Sequence, residues 1–244
     1  FMDNVNRYIS GDYTKKNHSY HIEDSEFKWK NFLNILKKSN FNFDTINSIT
    51  DIGCGIGQII IEAKKSNLFN SKCIFEGYDL NPDAIQLAKK NYEQISFNNE
   101  DFINLNTSKK DLIIAADVFE HIQDPYNFLS KLRKKGDFFL FNIPLEISLF
   151  SMTRTKNIFK HSYDNVGHLH FYTKRTSLLL LENTGFDVLN YNLVNNRFKD
   201  FKDKKNLRSL PINILQYFLE LFSKNLACSL FGGYSLVVLA NKRS

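Results

Sequence analysis

Three glycines separated by single residues, Gly53, Gly55 and Gly57, constrain the fold of this chain more than any other feature. They follow an apolar run, 46–52, that is typical of a β-strand, and they precede a helical pattern over 58–65. Glycine suits a sharp turn between a strand and a helix because its backbone bends tightly and lets a ligand approach without a Cβ atom in the way. Strand, glycine turn and helix form half of an α/β nucleotide-binding unit, so we expect an α/β fold.

The spacing of these glycines distinguishes between families of nucleotide-binding loops. The dinucleotide fingerprint is G-x-G-x-x-G, with the pyrophosphate at the helix N-terminus. Here the third glycine comes one residue earlier, and an acid, Asp51, precedes the turn. The resulting D-x-G-x-G-x-G resembles motif I of the class I S-adenosylmethionine-dependent methyltransferases. An ordinary glycine turn in another α/β protein is the alternative, and the motifs downstream make it less favourable.

The resemblance implies both a fold and a cofactor. The fold is a three-layer Rossmann-like sandwich with a seven-stranded, mostly parallel sheet of order 3-2-1-4-5-7-6, in which strand 7 is antiparallel. The cofactor is S-adenosyl-L-methionine, which leaves as S-adenosyl-L-homocysteine. In the family the glycine loop, here from Asp51 through Cys54 to Gly57, passes beside the methionyl part of the cofactor.

Acidic residues after the next strands match further cofactor positions of the family. The second predicted strand, 73–78, reads as buried and ends at Asp79. An acid there can accept hydrogen bonds from both ribose hydroxyls. The match to the family's ribose-binding acid implies that Leu80 lies against the adenine. Asp101 and Phe102 resemble the place where the family holds the adenine, although an Asp-Phe pair also occurs in ordinary loops.

The segment 117–125 follows the fourth predicted strand, 111–116. It resembles the pattern D-x-[IVL]-E-H-[IVL]-x-[DN]-P of small-molecule methyltransferases related to the ubiquinone-pathway O-methyltransferases. Because the carboxyl end of a strand in an open parallel sheet faces the ligand crevice, we expect Asp117 and Val118 near the methionyl group and His121 near the acceptor. Two interpretations of His121 stay open: a catalytic role, or a structural histidine that hydrogen-bonds the loop backbone.

Residues 145–167 show no clear regularity, and a loop of this length is usually functional or mobile. The string G-H-x-H-x-[YF]-[TS] over 167–173 resembles the same methyltransferase group. His168 and His170 are expected to share a face of an extended segment. No further ligands stand out in spacing, so the sequence predicts no metal site, and acceptor binding, proton removal and structural hydrogen bonding stay open for these histidines. The candidate acceptor contacts are Tyr13, His21, Arg154 and Tyr172.

The two ends of the chain match the family only loosely. The pattern around 11–25 resembles a subgroup of small bacterial methyltransferases often encoded with surface-polysaccharide genes. A helix over 25–38, with Ser25 as its cap, is expected either to fold over the cofactor as a lid or to cover a sheet face. Residues 211–228 have helical apolar spacing, for which a lid helix, a dimer contact, a membrane-surface helix and ordinary core packing all stay open.

Length and composition indicate one domain over 3–244. We divide it into a lid segment, 3–40, a cofactor-binding half, 46–143, and an acceptor-side half, 144–244. No run of apolar residues is long enough to span a membrane, and the polar N-terminus argues against a signal peptide, so we expect a cytoplasmic protein. Three well-separated cysteines favour reduced thiols, and a net charge of +6 fits an anionic small substrate, weak nucleic-acid affinity or a solvated surface.

The functional hypothesis is O-methylation of a small polar metabolite, such as a sugar or a precursor of a capsule or lipopolysaccharide glycan. His121, His168 and His170 are the candidate bases. We expect a small-molecule acceptor, no stably bound nucleic acid, no transmembrane segment and a homodimer as an open possibility. An RNA or protein methyltransferase and a catalytically silent binding subunit are the alternatives; the glycine spacing disfavours an oxidoreductase.

Overall fold

The computed structural model describes residues 22–154, 157–196 and 210–243. Two of the predicted acceptor contacts, Tyr13 and His21, lie outside the described residues.

Seven strands form one sheet of order β3-β2-β1-β4-β5-β7-β6. Neighbouring strands are parallel from β3 through to β5, and β7 pairs antiparallel with both β5 and β6. The predicted strand order and the antiparallel last strand are therefore confirmed. The strands are β1 (Ser48–Ile52), β2 (Ile74–Tyr78), β3 (Ser96–Asn98), β4 (Lys110–Ala116), β5 (Gly136–Leu145), β6 (Phe186–Asn195) and β7 (Tyr234–Lys242).

Helices cover both faces of this sheet, which gives the three layers. Successive residues of a strand point to opposite faces. Leu112 and Ile114 of β4 accordingly join one buried cluster with helices α1, α2 and α3, while Ile113 and Ala115 join the other with α4, α7 and α9. The helices are α1 (Ile22–Lys38), α2 (Gln58–Lys65), α3 (Pro82–Asn91), α4 (Pro125–Leu132), α5 (Leu149–Thr153), α6 (Ile158–Asn165), α7 (Lys174–Asn183), α8 (Leu210–Phe222) and α9 (Lys224–Phe231).

Several predicted boundaries differ from those observed. Ser25 lies inside α1 and is not its cap. The side chains of α1 at Trp29, Phe32 and Leu36 are buried against the sheet, as expected for a helix that covers a sheet face. The second strand is not buried throughout, because its first residue, Ile74, is 58% exposed and its neighbour β3 is a short edge strand.

The stretch 145–167, predicted to be irregular, contains the two short helices α5 and α6. Side-chain caps explain both. Ser148 accepts a hydrogen bond from the backbone N–H of Ser151, and Asn157 accepts one from that of Lys160. Caps of this kind stabilise helices too short to show an apolar period, which is why the sequence pattern missed them.

The predicted helix over 211–228 is divided at Ser223, whose side chain caps α9. In α8 the polar side chains face inwards: Gln216 is 1% exposed and donates to the carbonyl of Gly232, and Glu220 accepts from Asn195 and Tyr234. The interpretation of this segment as a helix packed in the core is therefore wrong for most of the apolar residues of α8, because these residues are exposed. These residues are Ile214, Leu215, Phe218, Leu221 and Phe222, together with Tyr217.

Across the described ranges, no helix has both the length and the apolar character needed to cross a membrane.

The glycine loop joins β1 to α2 with all three glycines at positive φ. Gly57 is the N-cap of α2 at φ +81°, and a Cβ atom there would lie 2.3 Å from the ring of buried Phe97. No atom lies within 4 Å of the equivalent position at Gly55. The first and last residues of the loop therefore serve the packing of the fold, whereas the space beside Gly55 is open.

Gly57→Ala is expected to destabilise the protein more than Gly55→Ala. Both substitutions place a Cβ atom at positive φ, which costs about 1–2 kcal/mol. At Gly57 the new methyl also collides with Phe97, and overpacking of this kind adds about 1–3 kcal/mol. Chemical unfolding of the two variants measures the difference, and equal losses in the free energy of unfolding would contradict the packing argument.

Candidate active site

Asp79 links the glycine loop to the end of β2. One carboxylate oxygen accepts the backbone N–H of Gly55 at 2.7 Å and the other accepts that of Asn81 at 2.8 Å. Each oxygen of an ionised carboxylate has about two acceptor positions, so both keep capacity for a ligand hydroxyl. Burial raises the pKa of Asp79, and the hydrogen bonds from Asn81 and Gly55 oppose that rise.

Asp51 stands beside this acid, near the end of β1, and is 1% exposed. Its Oδ2 atom is buried and accepts no hydrogen bond from the described residues. Burial, and then the charge of Asp79, raise the pKa of Asp51 to about 8, against the influence of Lys28. Burial likewise raises the pKa of the Cys54 thiol well above its usual value, so this thiol is protonated at neutral pH.

Asp117, the first residue after β4, adopts a left-handed backbone at φ +56°, which is uncommon for a residue with a side chain. Lys28 from α1 contacts its Oδ2 at 2.5 Å, and the side-chain amide of Asn142 from β5 donates to its Oδ1 at 2.6 Å. Burial acts to raise the pKa of Asp117, but Lys28 and Asn142 outweigh it and hold the pKa below the usual value. This carboxylate is therefore ionised and held by side chains from two elements, α1 and β5.

The remaining predicted cofactor residues occupy different environments. Leu80 and Val118 are partly buried, and Val118 lies against the loop, 2.8 Å from where a Cβ atom on Gly53 would stand. Asp101 is exposed and accepts hydrogen bonds within its own turn, from the backbone of Ile103 and the side chain of Asn104. Phe102 is 1% exposed and packs against Tyr78 in the core, with ring centroids 4.9 Å apart.

Glu120, His121 and His168 form a buried cluster after β4. The imidazole rings of His121 and His168 lie 4.7 Å apart between centroids. The Nδ1 atom of His121 contacts the carbonyl of Gly167 at 3.2 Å, and that of His168 contacts Oε2 of Glu146 at 2.7 Å. Burial, and then His168, lower the pKa of His121 to about 4, so His121 is uncharged at neutral pH.

Glu120 is fully buried, and neither of its carboxylate oxygens accepts a hydrogen bond from the described residues. Burial, and then the charge of Asp117, raise its pKa well above the usual value. The backbone carbonyl of Glu120 accepts the N–H groups of Leu169 at 2.9 Å and His170 at 3.1 Å. These two bonds hold the segment with both histidines beside the turn after β4.

His170 has different partners from His168, and the segment 167–173 that carries both belongs to no strand of the sheet. The Nε2 atom of His170 is 3.4 Å from the carbonyl of Gln123, and its ring is nearly parallel to that of Tyr172. The Tyr172 hydroxyl is buried and has no hydrogen-bond partner among the described residues. Arg154 is exposed, with its guanidinium over the ring of Phe150.

A cavity of about 380 Å³ opens beside His170. A volume of this order is typical of sites for small molecules. Its lining combines aromatic and apolar side chains with a few polar groups: Gln123, Asp124, Pro125, Tyr126, His170, Phe171, Tyr172, Thr176 and Leu180.

Four residues at this site escaped the sequence reasoning: Lys28, Glu120, Asn142 and Glu146. Glu120 stands inside the recognised motif, and its pairing with His121 was the available clue. Asn142 lies in the second half of β5, towards the edge where ligands bind in parallel sheets, and could have been found by that rule. Lys28 and Glu146 meet their partners only through the tertiary fold, and no local pattern marks them.

Comparisons with known proteins agree with this geometry. The profile of a family described as "Methyltransferase domain" matches residues 24–191. This match covers most of the chain, including the glycine loop, the turn after β4 and the two histidines. The chain is a class I S-adenosylmethionine-dependent methyltransferase. No curated protein sequence matches it.

Solved structures share the fold of this methyltransferase at low sequence identity. Magnesium protoporphyrin IX methyltransferase from Synechocystis is 15% identical, with 90% of this chain and 83% of that chain covered and a TM-score of 0.57. Phosphoethanolamine N-methyltransferase 2 from Haemonchus contortus is 17% identical, with 96% and 60% covered and a TM-score of 0.62. A third structure is the complex of the Haloferax volcanii Trm112 methyltransferase activator with a methyltransferase. It is 12% identical, with 99% of this chain and 98% of that chain covered and a TM-score of 0.63. At these identities the likeness shows the fold.

The raised pKa of Asp51 makes stability depend on pH. The unfolded chain releases this proton near the usual value of 3.8, whereas the folded chain releases it at about 8. Between these values the folded state binds more protons, so the free energy of unfolding of the wild type falls as pH rises. Asp51→Asn removes this loss, and its stability advantage over wild type should widen from about pH 5 to about pH 8.

Urea unfolding at both pH values measures the effect, with the exposed Asp83→Asn variant as the control. An advantage of Asp51→Asn that is the same at the two pH values would show that the carboxyl titrates normally.

Proposed function

We propose that this methyltransferase transfers a methyl group to a hydroxyl oxygen of a small polar metabolite, with a sugar or a precursor of a surface glycan as the favoured class. The observation that carries the proposal is the cavity of about 380 Å³ beside the turn after β4. Its size fits one small molecule, and its aromatic walls with a few polar groups suit a ring that carries hydroxyls.

For the cofactor, we assign the open space beside Gly55 together with Asp51, Asp79 and Asp117. S-adenosylmethionine carries an activated methyl group on a positively charged sulfur and also an ammonium group. The ionised carboxylate of Asp117 and the acceptor oxygens of Asp79 and Asp51 make this edge complementary to such a cation. The remaining acceptor capacity of Asp79 fits the two ribose hydroxyls.

Other cofactor contacts follow from position. Leu80 and Val118 flank the loop as apolar walls, and Gly53, Cys54 and Gly57 shape it. We propose that Asp101 lies near the adenine amino group. Phe102, which is buried, supports that wall from behind by packing on Tyr78.

Among the three candidate bases, His170 is the one that lines the cavity, and Tyr172 stands beside it. Nε2 of His170 lies 3.4 Å from the carbonyl of Gln123, which can only accept, and we propose that Nε2 carries the ring proton and Nδ1 is the basic atom. His121 is the weaker candidate, because a pKa of about 4 makes its imidazole a poor base.

The chemistry balances as follows. The acceptor oxygen bonds to the methyl carbon as the carbon–sulfur bond breaks, and the electron pair stays on sulfur, which becomes a neutral thioether. The hydroxyl proton passes to Nδ1 of His170. Holding the acceptor in line with the methyl group supplies much of the acceleration, since effective molarities of about 10⁵ M or more are available to aligned reactants.

Two neighbours with the same fold are, by their titles, methyltransferases of a porphyrin and of phosphoethanolamine, which supports a small-molecule acceptor. Of the partners, we propose a homodimer through the exposed apolar face of α8, and no stably bound nucleic acid. Arg154 and, outside the described residues, Tyr13 and His21 are proposed to complete the acceptor site.

The proposal is tested first by titrating the purified protein calorimetrically with S-adenosylhomocysteine, and then by screening sugars, sugar nucleotides and small acids with labelled cofactor. Micromolar product binding and label transfer to a sugar hydroxyl are the expected results. Transfer to RNA or protein alone would overturn the acceptor class. A folded protein that does not bind S-adenosylhomocysteine would point to a silent binding subunit.

Asp79→Ala is expected to weaken S-adenosylhomocysteine binding by about 10²–10⁴-fold, because two hydrogen bonds to a charged group are lost at about 1.5–3 kcal/mol each. Asp83→Ala, an exposed acid four residues further on, is the matched control and should leave affinity unchanged. Unchanged affinity in a folded Asp79→Ala protein would refute the ribose assignment; thermal melting establishes that the variant is folded.

His170→Gln is expected to lower kcat by about 10²–10⁴-fold while the KM for cofactor stays near wild type, because a general base acts on the chemical step. His161→Gln alters an exposed histidine of α6 and should have wild-type kinetics. Steady-state rates with the acceptor found by screening measure both. A His170→Gln enzyme with wild-type kcat would exclude His170 as the base.

A further inference from the structure

The structure brings together three side chains whose ligand atoms all lie within 4.8 Å of one another: Glu120, His121 and His168. We propose that this cluster is a binding site for a divalent first-row transition-metal ion. Two imidazoles and one carboxylate are ligands that zinc, iron(II), cobalt(II) and manganese(II) accept, and three protein ligands leave positions open for water or substrate.

Both histidines are oriented as metal ligands usually are. A ligating histidine commonly donates its second ring N–H to a carboxylate or a carbonyl, which fixes the tautomer. Here Nδ1 of His168 meets Glu146 at 2.7 Å, and Nδ1 of His121 meets the carbonyl of Gly167 at 3.2 Å. Because that carbonyl can only accept, the lone pair of His121 is on Nε2. Glu146 is itself held by the hydroxyl of Ser162 at 2.6 Å.

Glu120 supplies an independent observation. Its carboxylate is fully buried and aimed into the cluster, and neither oxygen accepts a hydrogen bond from the described residues. Burying such a group is costly unless it meets a proton donor or a metal ion. Asp117 and Glu146 add negative charge nearby, and Lys28 is the counter-charge that acts on this group, so the surroundings favour a dication.

The geometry needs little adjustment. A tetrahedral ion with bonds of about 2.0–2.2 Å requires ligand atoms about 3.4 Å apart, so the three groups must close by about 1.4 Å at most. Two backbone hydrogen bonds to the carbonyl of Glu120 already hold the segment of His168 against the turn that bears His121.

The site revises the prediction of no metal, which rested on spacing. Spacing along the chain pairs His168 with His170, two residues away, whereas the other two members of the cluster, His121 and Glu120, are 47 and 48 residues away in the chain. If the proposed function holds, an ion here would stand beside the acceptor and could bind its oxygen; the binding of the ion itself does not rest on that function.

The test uses protein without an affinity tag, from which a chelator has removed bound metal. This protein is titrated with Co²⁺ alone, and binding is measured by the visible absorption of the bound Co²⁺. One Co²⁺ per chain is expected, with ligand-field bands that Zn²⁺ displaces. Glu120→Gln and His168→Gln should lose stoichiometric binding, and His161→Gln should keep it. Glu146→Gln, which changes a partner of His168 and no ligand, should weaken Co²⁺ by about 10–100-fold.

Wild-type protein that binds no stoichiometric Co²⁺ would overturn the site, as would binding that survives in folded Glu120→Gln and His168→Gln proteins. Binding of S-adenosylhomocysteine is measured on every sample. A protein that binds S-adenosylhomocysteine but does not bind Co²⁺ refutes the metal site and leaves the proposed function standing. A protein that binds Co²⁺ but transfers no methyl group supports the metal site and refutes the proposed function. If the two ligand variants fail to fold, the wild-type stoichiometry and the Glu146→Gln affinity decide.

Discussion

Parallel strands end at a common edge, and in this protein that edge carries buried carboxyl groups. Asp51, Asp79 and Asp117 come from or directly after three adjacent strands, β1, β2 and β4. Three acids so close would repel one another if all were ionised, and two features of the structure reduce this repulsion. The pKa of Asp51 rises to about 8, while Lys28 reaches over from α1 to keep Asp117 ionised.

The same edge explains why the glycine loop has unequal parts. Gly53 and Gly57 are confined by Val118 and Phe97, so their role is to let the loop pack, whereas the space beside Gly55 is open. Asp79 ties the loop to β2 through the N–H of Gly55. Packing therefore restricts Gly53 and Gly57 but not Gly55 within one turn, which is a consequence of how closely the loop passes over β2 and β3.

Beyond that edge, the chain after β5 builds a second environment. Glu146, from just beyond β5, orients His168, and the carbonyl of Glu120 holds the segment that carries both His168 and His170. The two histidines thus divide: one lies in a buried cluster with Glu120 and His121, and the other faces the cavity with Tyr172. On the far side, α8 buries Gln216 and leaves Phe218 and Phe222 exposed, an inversion of the usual amphipathic arrangement.

The sequence by itself determined the strands, the glycine turn and the position of Asp79, because strand periodicity, glycine spacing and an acid at a strand end are local properties that survive in any context. The strand order followed from the resemblance to the methyltransferase family that these motifs carry. The sequence did not determine that α8 faces its apolar side outwards, since periodicity shows an apolar face but not what covers it. Nor could the sequence predict that Lys28 contacts Asp117, or that Glu120 and His121 lie beside His168. Those contacts link residues 47 to 89 positions apart, and only the tertiary structure, through the meeting of strand ends at one edge, decides them.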